Sequence, residues 1–176
     1  MDEMVVSVFG SGRVRPGEPV YRFAEQVGRA LAEAGFAIAN GGYRGIMQAS
    51  AKGAAEAGGM VLGVTCSAFK NSVANAFVTR EIVTDSLSER LDTLVRLGRA
   101  YVVLPGGTGT LLELATVWEL KNKRFLDRGK PIVLAGEFWR PLVDLVAGDD
   151  PSCIEAVAFA ETPDAVAESV SRGLRS

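Results

Sequence analysis

The sequence predicts an α/β protein, a Rossmann-like doubly wound parallel sheet with helices on both faces. Short β-branched runs alternate with amphipathic segments of helical period, and several of the runs are apolar on both faces, as strands covered by helices on each side must be. Glycine clusters also follow several of these runs, at the sheet end where open α/β folds bind ligands.

The first strand is expected at residues 4–9, from the run Val5-Val6-Ser7-Val8-Phe9. A helix over 19–34 follows, because Val20, Phe23, Ala24, Val27, Leu31 and Ala34 recur at three- and four-residue spacing and Gly35 supplies a C-terminal cap. A strand at 36–39 leads to an Ala-rich helix at 45–57, which Gly58-Gly59 ends. Strands at 61–64 and 77–83, a helix at 86–97 and a strand at 100–104 come next. A helix at 110–123, a strand at 131–135, a helix at 139–146, a strand at 156–160 and a helix at 164–174 complete the chain. Residues 11–18, rich in Gly, Pro and Arg, and 67–76, which have no clear period, are expected to be either mobile pieces that serve ligand entry at the ligand end of the sheet or ordinary surface loops.

The 176 residues suit one domain spanning 1–176, and a 48% hydrophobic content is enough to fill its core. A formal charge of −2 supplies no field for nucleic acid or anionic membrane, so neither is expected as a partner and any phosphate must be held locally. The absence of histidine removes the commonest general base and metal ligand. Cys66 and Cys153 have neither CxxC spacing nor a histidine partner and read as buried free thiols; no metal and no cofactor is expected. The acidic start, Met1-Asp2-Glu3-Met4, is unlike a signal peptide, and no run approaches the ~20 apolar residues of a membrane helix, so a cytoplasmic location is expected.

Of the glycine clusters, Gly10-Ser11-Gly12 after the first strand lets backbone amides approach an anion, but it is not a dinucleotide fingerprint. Asn40 stands where the acidic ribose ligand of a nicotinamide-dependent oxidoreductase would be. Gly41-Gly42-Tyr43-Arg44-Gly45 follows the second strand. Its Arg44 would lie near the positive end of a helix, and Tyr43 is either placed to stack on a base or a simple exposed turn residue. The strongest cluster is Pro105-Gly106-Gly107-Thr108-Gly109-Thr110, where unencumbered amides meet the start of a helix, a geometry that binds anions. No Lys follows the last glycine, so it is not a Walker loop, and triphosphate hydrolysis is disfavoured.

Thr110 and Glu113 have the spacing of a capping box, which needs no chemistry. Alternatively, Glu113 points at the sugar of a bound nucleotide and stabilises the positive charge that develops there as an N-glycosidic bond breaks. Arg90 is either an exposed helix residue or a permanent cation that holds phosphate or positions that carboxylate. Trp118 and Phe125 suit core or dimer packing, and Lys121, Lys123 and Arg124 a solvated helix end.

Residues 105–113 match PGGxGTxxE, and with the glycine turns, Gly45-Ile46-Met47, Gly58-Gly59 and Glu89-Arg90 the chain resembles the LOG family, also labelled lysine decarboxylase-like. That resemblance implies a phosphoribohydrolase that releases a base from a nucleoside 5′-monophosphate, commonly as a homodimer, with Arg90 and Glu113 as catalytic residues. The phosphate would be held by Gly106, Gly107, Thr108, Gly109 and Thr110, with Gly10, Ser11, Gly41 and Gly42 on the opposite wall. Cytokinin-activating members carry Lys after the Arg, where this chain has Leu91, and a third glycine where it has Tyr43, which points to a broader or different nucleotide substrate. The chain is also similar in fold to molybdenum-cofactor carrier proteins, so a non-catalytic binder of a phosphorylated ligand is the alternative.

Overall fold

The computed structural model describes residues 4–70, 73–126 and 129–175. Among them, seven strands form one sheet: β1 Val5–Phe9, β2 Ala37–Asn40, β3 Val61–Cys66, β4 Arg80–Thr84, β5 Ala100–Val103, β6 Ile132–Ala135 and β7 Val157–Ala160. The order is β4-β3-β2-β1-β5-β6-β7 and every pairing is parallel. Six α-helices flank the sheet among the described residues, five between strands and the last after β7: α1 Pro19–Glu33, α2 Ile46–Glu56, α3 Leu87–Leu97, α4 Thr108–Asn122, α5 Arg140–Ala147 and α6 Pro163–Gly173. A 3-10 turn, Pro151–Ala156, precedes β7. This is the Rossmann-like α/β architecture that the sequence predicts.

Strand residues alternate between faces, so the sheet carries two cores. Val6, Val8, Ile38 and Val102 pack with α1, α2 and α6, through Val27, Ile46 and Val166 among others. Phe9, Val64, Tyr101 and Leu134 pack on the other face with α3, α4 and α5, through Leu94, Trp118 and Val143. Both cysteines are buried free thiols. No helix among the described residues is long and apolar enough to cross a membrane.

Several elements differ from their sequence-predicted positions for local reasons. The strand expected at 77–83 begins only at Arg80. Before it, the Asn75 side chain accepts from the Phe77 amide at 3.1 Å, which keeps the chain turning. The Thr79 hydroxyl then bonds both the amide and the carbonyl of Val61, at 2.9 Å each, where a strand ladder would begin. A side-chain cap of that kind is present, but on α3: Ser86 Oγ accepts from the Glu89 amide at 3.1 Å, and the Glu89 carboxylate accepts from the amide of Asp85, the residue before the cap, at 2.8 Å. Trp118 is a core residue that donates to the Cys153 carbonyl, whereas Phe125 is 77% exposed and belongs to no core. Lys121 is not a solvated helix end either; its ammonium donates to the Lys130 carbonyl at 2.9 Å, and burial lowers its pKa.

The strand order reverses direction between β1 and β5, which makes the space beyond their carboxyl ends the switch point of the sheet. The loops after β1 and β5 flank it.

Candidate functional site

Ser11 ties the glycine turns together at the switch point. Its amide donates to the Pro105 carbonyl at 3.0 Å, and its carbonyl accepts from the Ile46 amide at 2.8 Å, so the turns after β1, β2 and β5 share one residue. The first of the two loops expected at this end of the sheet is thereby anchored at its start. The other such loop is anchored through Asn75, whose side chain donates to the carbonyls of Gly42 and Tyr43; residues 71 and 72 of that loop lie outside the described residues.

α4 begins at Thr108 with Gly107 as its N-cap, and no side chain caps it. Thr110 therefore sits in the first turn instead of at the cap, and the capping-box reading of Thr110 and Glu113 does not hold. The helix supplies no acceptor to the amides of its first turn, so Thr108, Gly109 and Thr110 present the N–H arrangement found at helix starts that suit an anion.

The turn after β2 is organised by Asn40. Its Oδ1 accepts from the Gly42 amide at 2.9 Å, and its Nδ2 donates to the Met47 carbonyl at 2.9 Å and to Ser50 Oγ at 3.1 Å. The turn leaves a narrow passage for Arg90: a Cβ on Gly41 would lie 1.7 Å from Arg90 Nη2. Arg90 is buried, so its reading as an exposed helix residue is set aside. Its Nε donates to the Val64 carbonyl at 2.8 Å, and its guanidinium carbon lies 5.5 Å from the Tyr43 ring centroid and 5.9 Å from that of Phe69. Nη1 is 3.8 Å from Glu113 Oε1, and Nη2 meets the Met47 thioether at 3.9 Å. This cation is held rigidly through one edge while its terminal nitrogens keep donor capacity for a ligand.

Glu113 lies on α4 with its side chain 14% exposed, and its ion pair with Arg90 is loose. Burial pushes its carboxyl up to about 7, against the opposing effect of Arg90. A carboxyl poised near neutrality in a cleft has the properties of a group that does chemistry.

A cavity of about 590 Å³ unites these groups. Gly10, Ser11, Gly107, Thr108, Gly109 and Thr110 line it together with Arg90 and Glu113. Gly106 does not line it; a Cβ there would meet Thr110 Oγ1 at 2.2 Å, so this glycine lets the turn close on α4. Gly41 and Gly42 do not form the opposite wall either. Gly41 lies behind the guanidinium and makes room for it, and Gly42, at φ +74°, approaches Gly63 of β3. The opposite wall is instead completed by Arg13, Tyr43, Met47 and Phe69. Sequence reasoning missed Arg13, which carries no period or motif, and took Asn40 only as a missing acid; the signal for Asn40 was its place before two glycines, where Asx turns form.

Residues 3–142 match the SLOG cluster4 family. The chain belongs to the SLOG cluster4 family. An uncharacterized protein of Archaeoglobus fulgidus is 35% identical to this SLOG cluster4 chain over 136 residues, covering 77% of the chain and 87% of the relative. A Rhodococcoides fascians protein named cytokinin riboside 5′-monophosphate phosphoribohydrolase is 32% identical over 146 residues, covering 80% and 73%. Among solved structures, the molybdenum cofactor binding protein of Rippkaea orientalis superposes with a TM-score of 0.77 at 26% identity, over 98% of each chain. The SLOG cluster4 chain is thus similar both to a protein named as a phosphoribohydrolase and to a molybdenum cofactor binding protein.

Proposed function

We propose that the protein hydrolyses the N-glycosidic bond of a nucleoside 5′-monophosphate, giving free base and ribose 5-phosphate. The observation that carries the proposal is the convergence of a buried Arg90 and a half-buried Glu113 in one cavity with the start of α4, which no side chain caps. The 5′-phosphate accepts hydrogen bonds from the amides of Thr108, Gly109 and Thr110, with the Thr108 and Thr110 hydroxyls beside it. Arg90 anchors phosphate or sugar and holds Glu113 toward C1′. As the C1′–N bond breaks, its electron pair leaves with the base nitrogen, and the Glu113 carboxylate stabilises the cationic sugar. Water adds to C1′, and one of its protons balances the charge on the departing base. No histidine is needed, and none is present.

The relatives named phosphoribohydrolases support this reading, and the same reading includes a homodimer in the cytoplasm and a single domain over the whole chain. The decisive assay incubates the purified protein with a panel of nucleoside 5′-monophosphates and quantifies free base and ribose 5-phosphate. The expected outcome is stoichiometric release of both, lost in Glu113→Gln.

A second reading is favoured by the full-length likeness to the Rippkaea orientalis protein, namely a carrier that holds a phosphorylated pterin in the same cavity without transforming it. Tight pterin retention with no base release from any nucleotide would establish the carrier and exclude the hydrolase.

A further inference from the structure

We infer that the outer lobe of the cavity selects the base through Arg44 and Lys70, so that 6-oxopurine nucleotides are preferred over 6-aminopurine nucleotides. The inference rests on the nucleotide reading proposed above.

A second cavity of about 560 Å³ adjoins the first and shares Gly12, Tyr43, Met47 and Phe69 with it. With phosphate at the α4 amides and sugar between Arg90 and Glu113, the base extends across this shared edge into the outer lobe. Arg44, Lys70 and Val73 are the residues the lobe adds.

Among the described residues the side-chain chemistry of the lobe is one-sided. Met47, Phe69 and the Tyr43 ring offer apolar surface to a flat base. The Tyr43 hydroxyl is committed, accepting from the Cys66 amide at 2.7 Å. Arg44 and Lys70 carry no ion pair or side-chain hydrogen bond among the described residues, and the described lining includes no carboxylate or amide side chain. Arginine and lysine side chains donate and cannot accept.

A 6-oxopurine presents two acceptors on its outer edge, O6 and N7, the pair that Arg or Lys reads most often. Adenine presents the N7 acceptor beside an N6 donor. A wall of donors satisfies the first edge twice and the second once, leaving the N6 amino group facing a like partner. Discrimination follows from the mismatch, because a group deprived of its partner costs more than a matched one gains. Both cations are exposed, so the preference is expected at the low end of such readouts, about tenfold.

The test compares inosine and adenosine 5′-monophosphates, which differ in the purine ring only at position 6 and its adjoining N1. Both are assayed for turnover and, independently, for equilibrium binding by calorimetry to the Glu113→Gln protein. The expected result is an inosinate preference of about tenfold that falls toward one in Arg44→Met/Lys70→Met and persists in Arg15→Met, whose side chain lies outside both lobes. An adenylate preference, equal affinities, or a preference unchanged in the double variant overturns the inference. Failure of the hydrolase reading has a different signature: neither nucleotide is turned over, while the binding ratio still reports on the lobe.

Discussion

Replacing Glu113 by Gln separates the stability of this protein from its proposed activity, and the pH dependence of that separation is set by the structure. The Glu113 carboxyl is raised from an ordinary 4.5 to about 7, chiefly by burial. Between these two values the folded protein keeps a proton that the unfolded chain has released. The favourable contribution of the protonated group is therefore complete below about 4.5 and is lost as the pH rises through about 7. At roughly 1.4 kcal/mol per pH unit the loss amounts to about 3 kcal/mol, and with the side chain only 14% exposed the discount for solvent screening is modest. Gln resembles the protonated acid and has nothing to lose. Thermal unfolding of both proteins at pH 4.5 and pH 8 gives the double difference, in which the pH-independent cost of the substitution cancels. The melting temperature of Glu113→Gln relative to wild type should rise by about 6 to 12 °C between those pH values, at roughly 2–4 °C per kcal/mol for a chain of this size. Parallel melting curves at all pH values would refute the argument, because they would mean that Glu113 ionises as freely in the folded protein as in the unfolded chain. Wild-type kcat/KM for a nucleotide should rise with pH through about 7, since the ionised form stabilises the sugar cation.

Gly41→Ala should place a methyl group against Arg90 Nη2 and 2.5 Å from Met47 Sδ, lowering turnover about 100-fold and stability by about 1–3 kcal/mol; wild-type kinetics in this variant would show that Arg90 need not occupy its observed position. Gly109→Ala meets nothing within 4 Å, so its melting temperature should equal or slightly exceed that of wild type, while the dissociation constant for nucleotide, read by calorimetry, rises about tenfold as the methyl group crowds the phosphate. Leu111 and Leu112 are 36% and 42% exposed near the start of α4; changing both to Glu should convert the proposed dimer to a monomer in sedimentation equilibrium, and an unchanged mass would locate the interface elsewhere.

The parts of the fold that depend on periodicity were legible in the sequence: β1, β2, β5 and the stripes of α1 and α2 fall within a residue or two of their expected bounds. What was not legible depends on contacts between segments distant in the chain. The pattern of residues 77–83 reads as a strand, but Asn75 and the Thr79 hydroxyl hold its first residues in a turn. Spacing alone offers a capping box on α4 as one reading of Thr110 and Glu113, whereas Ser86 and Glu89 cap α3 and Gly107 caps α4 without a side chain. In the candidate site, the phosphate turn was visible because its donors are consecutive. The role of Gly41 was not, since it is set by an arginine from another element passing within reach of its missing side chain.

The state of Glu113 also bears on the choice between hydrolase and carrier. A protein that only holds an anionic ligand gains nothing from a carboxyl in the same cavity. Ionised, the group repels the ligand, and protonated, it withdraws the counter-charge that Arg90 would otherwise meet. In a hydrolase the same cost is incurred in the ground state and recovered in the transition state, where the sugar becomes cationic and only then matches the carboxylate. The 3.8 Å separation from Arg90 fits that use, because a tight ion pair would neutralise the carboxylate before the substrate did. The two readings therefore differ in what Glu113→Gln takes away, since neither expects it to weaken binding. A carrier should bind its phosphorylated ligand more tightly without the carboxylate and lose nothing else. A hydrolase should bind substrate as well or better and stop turning it over.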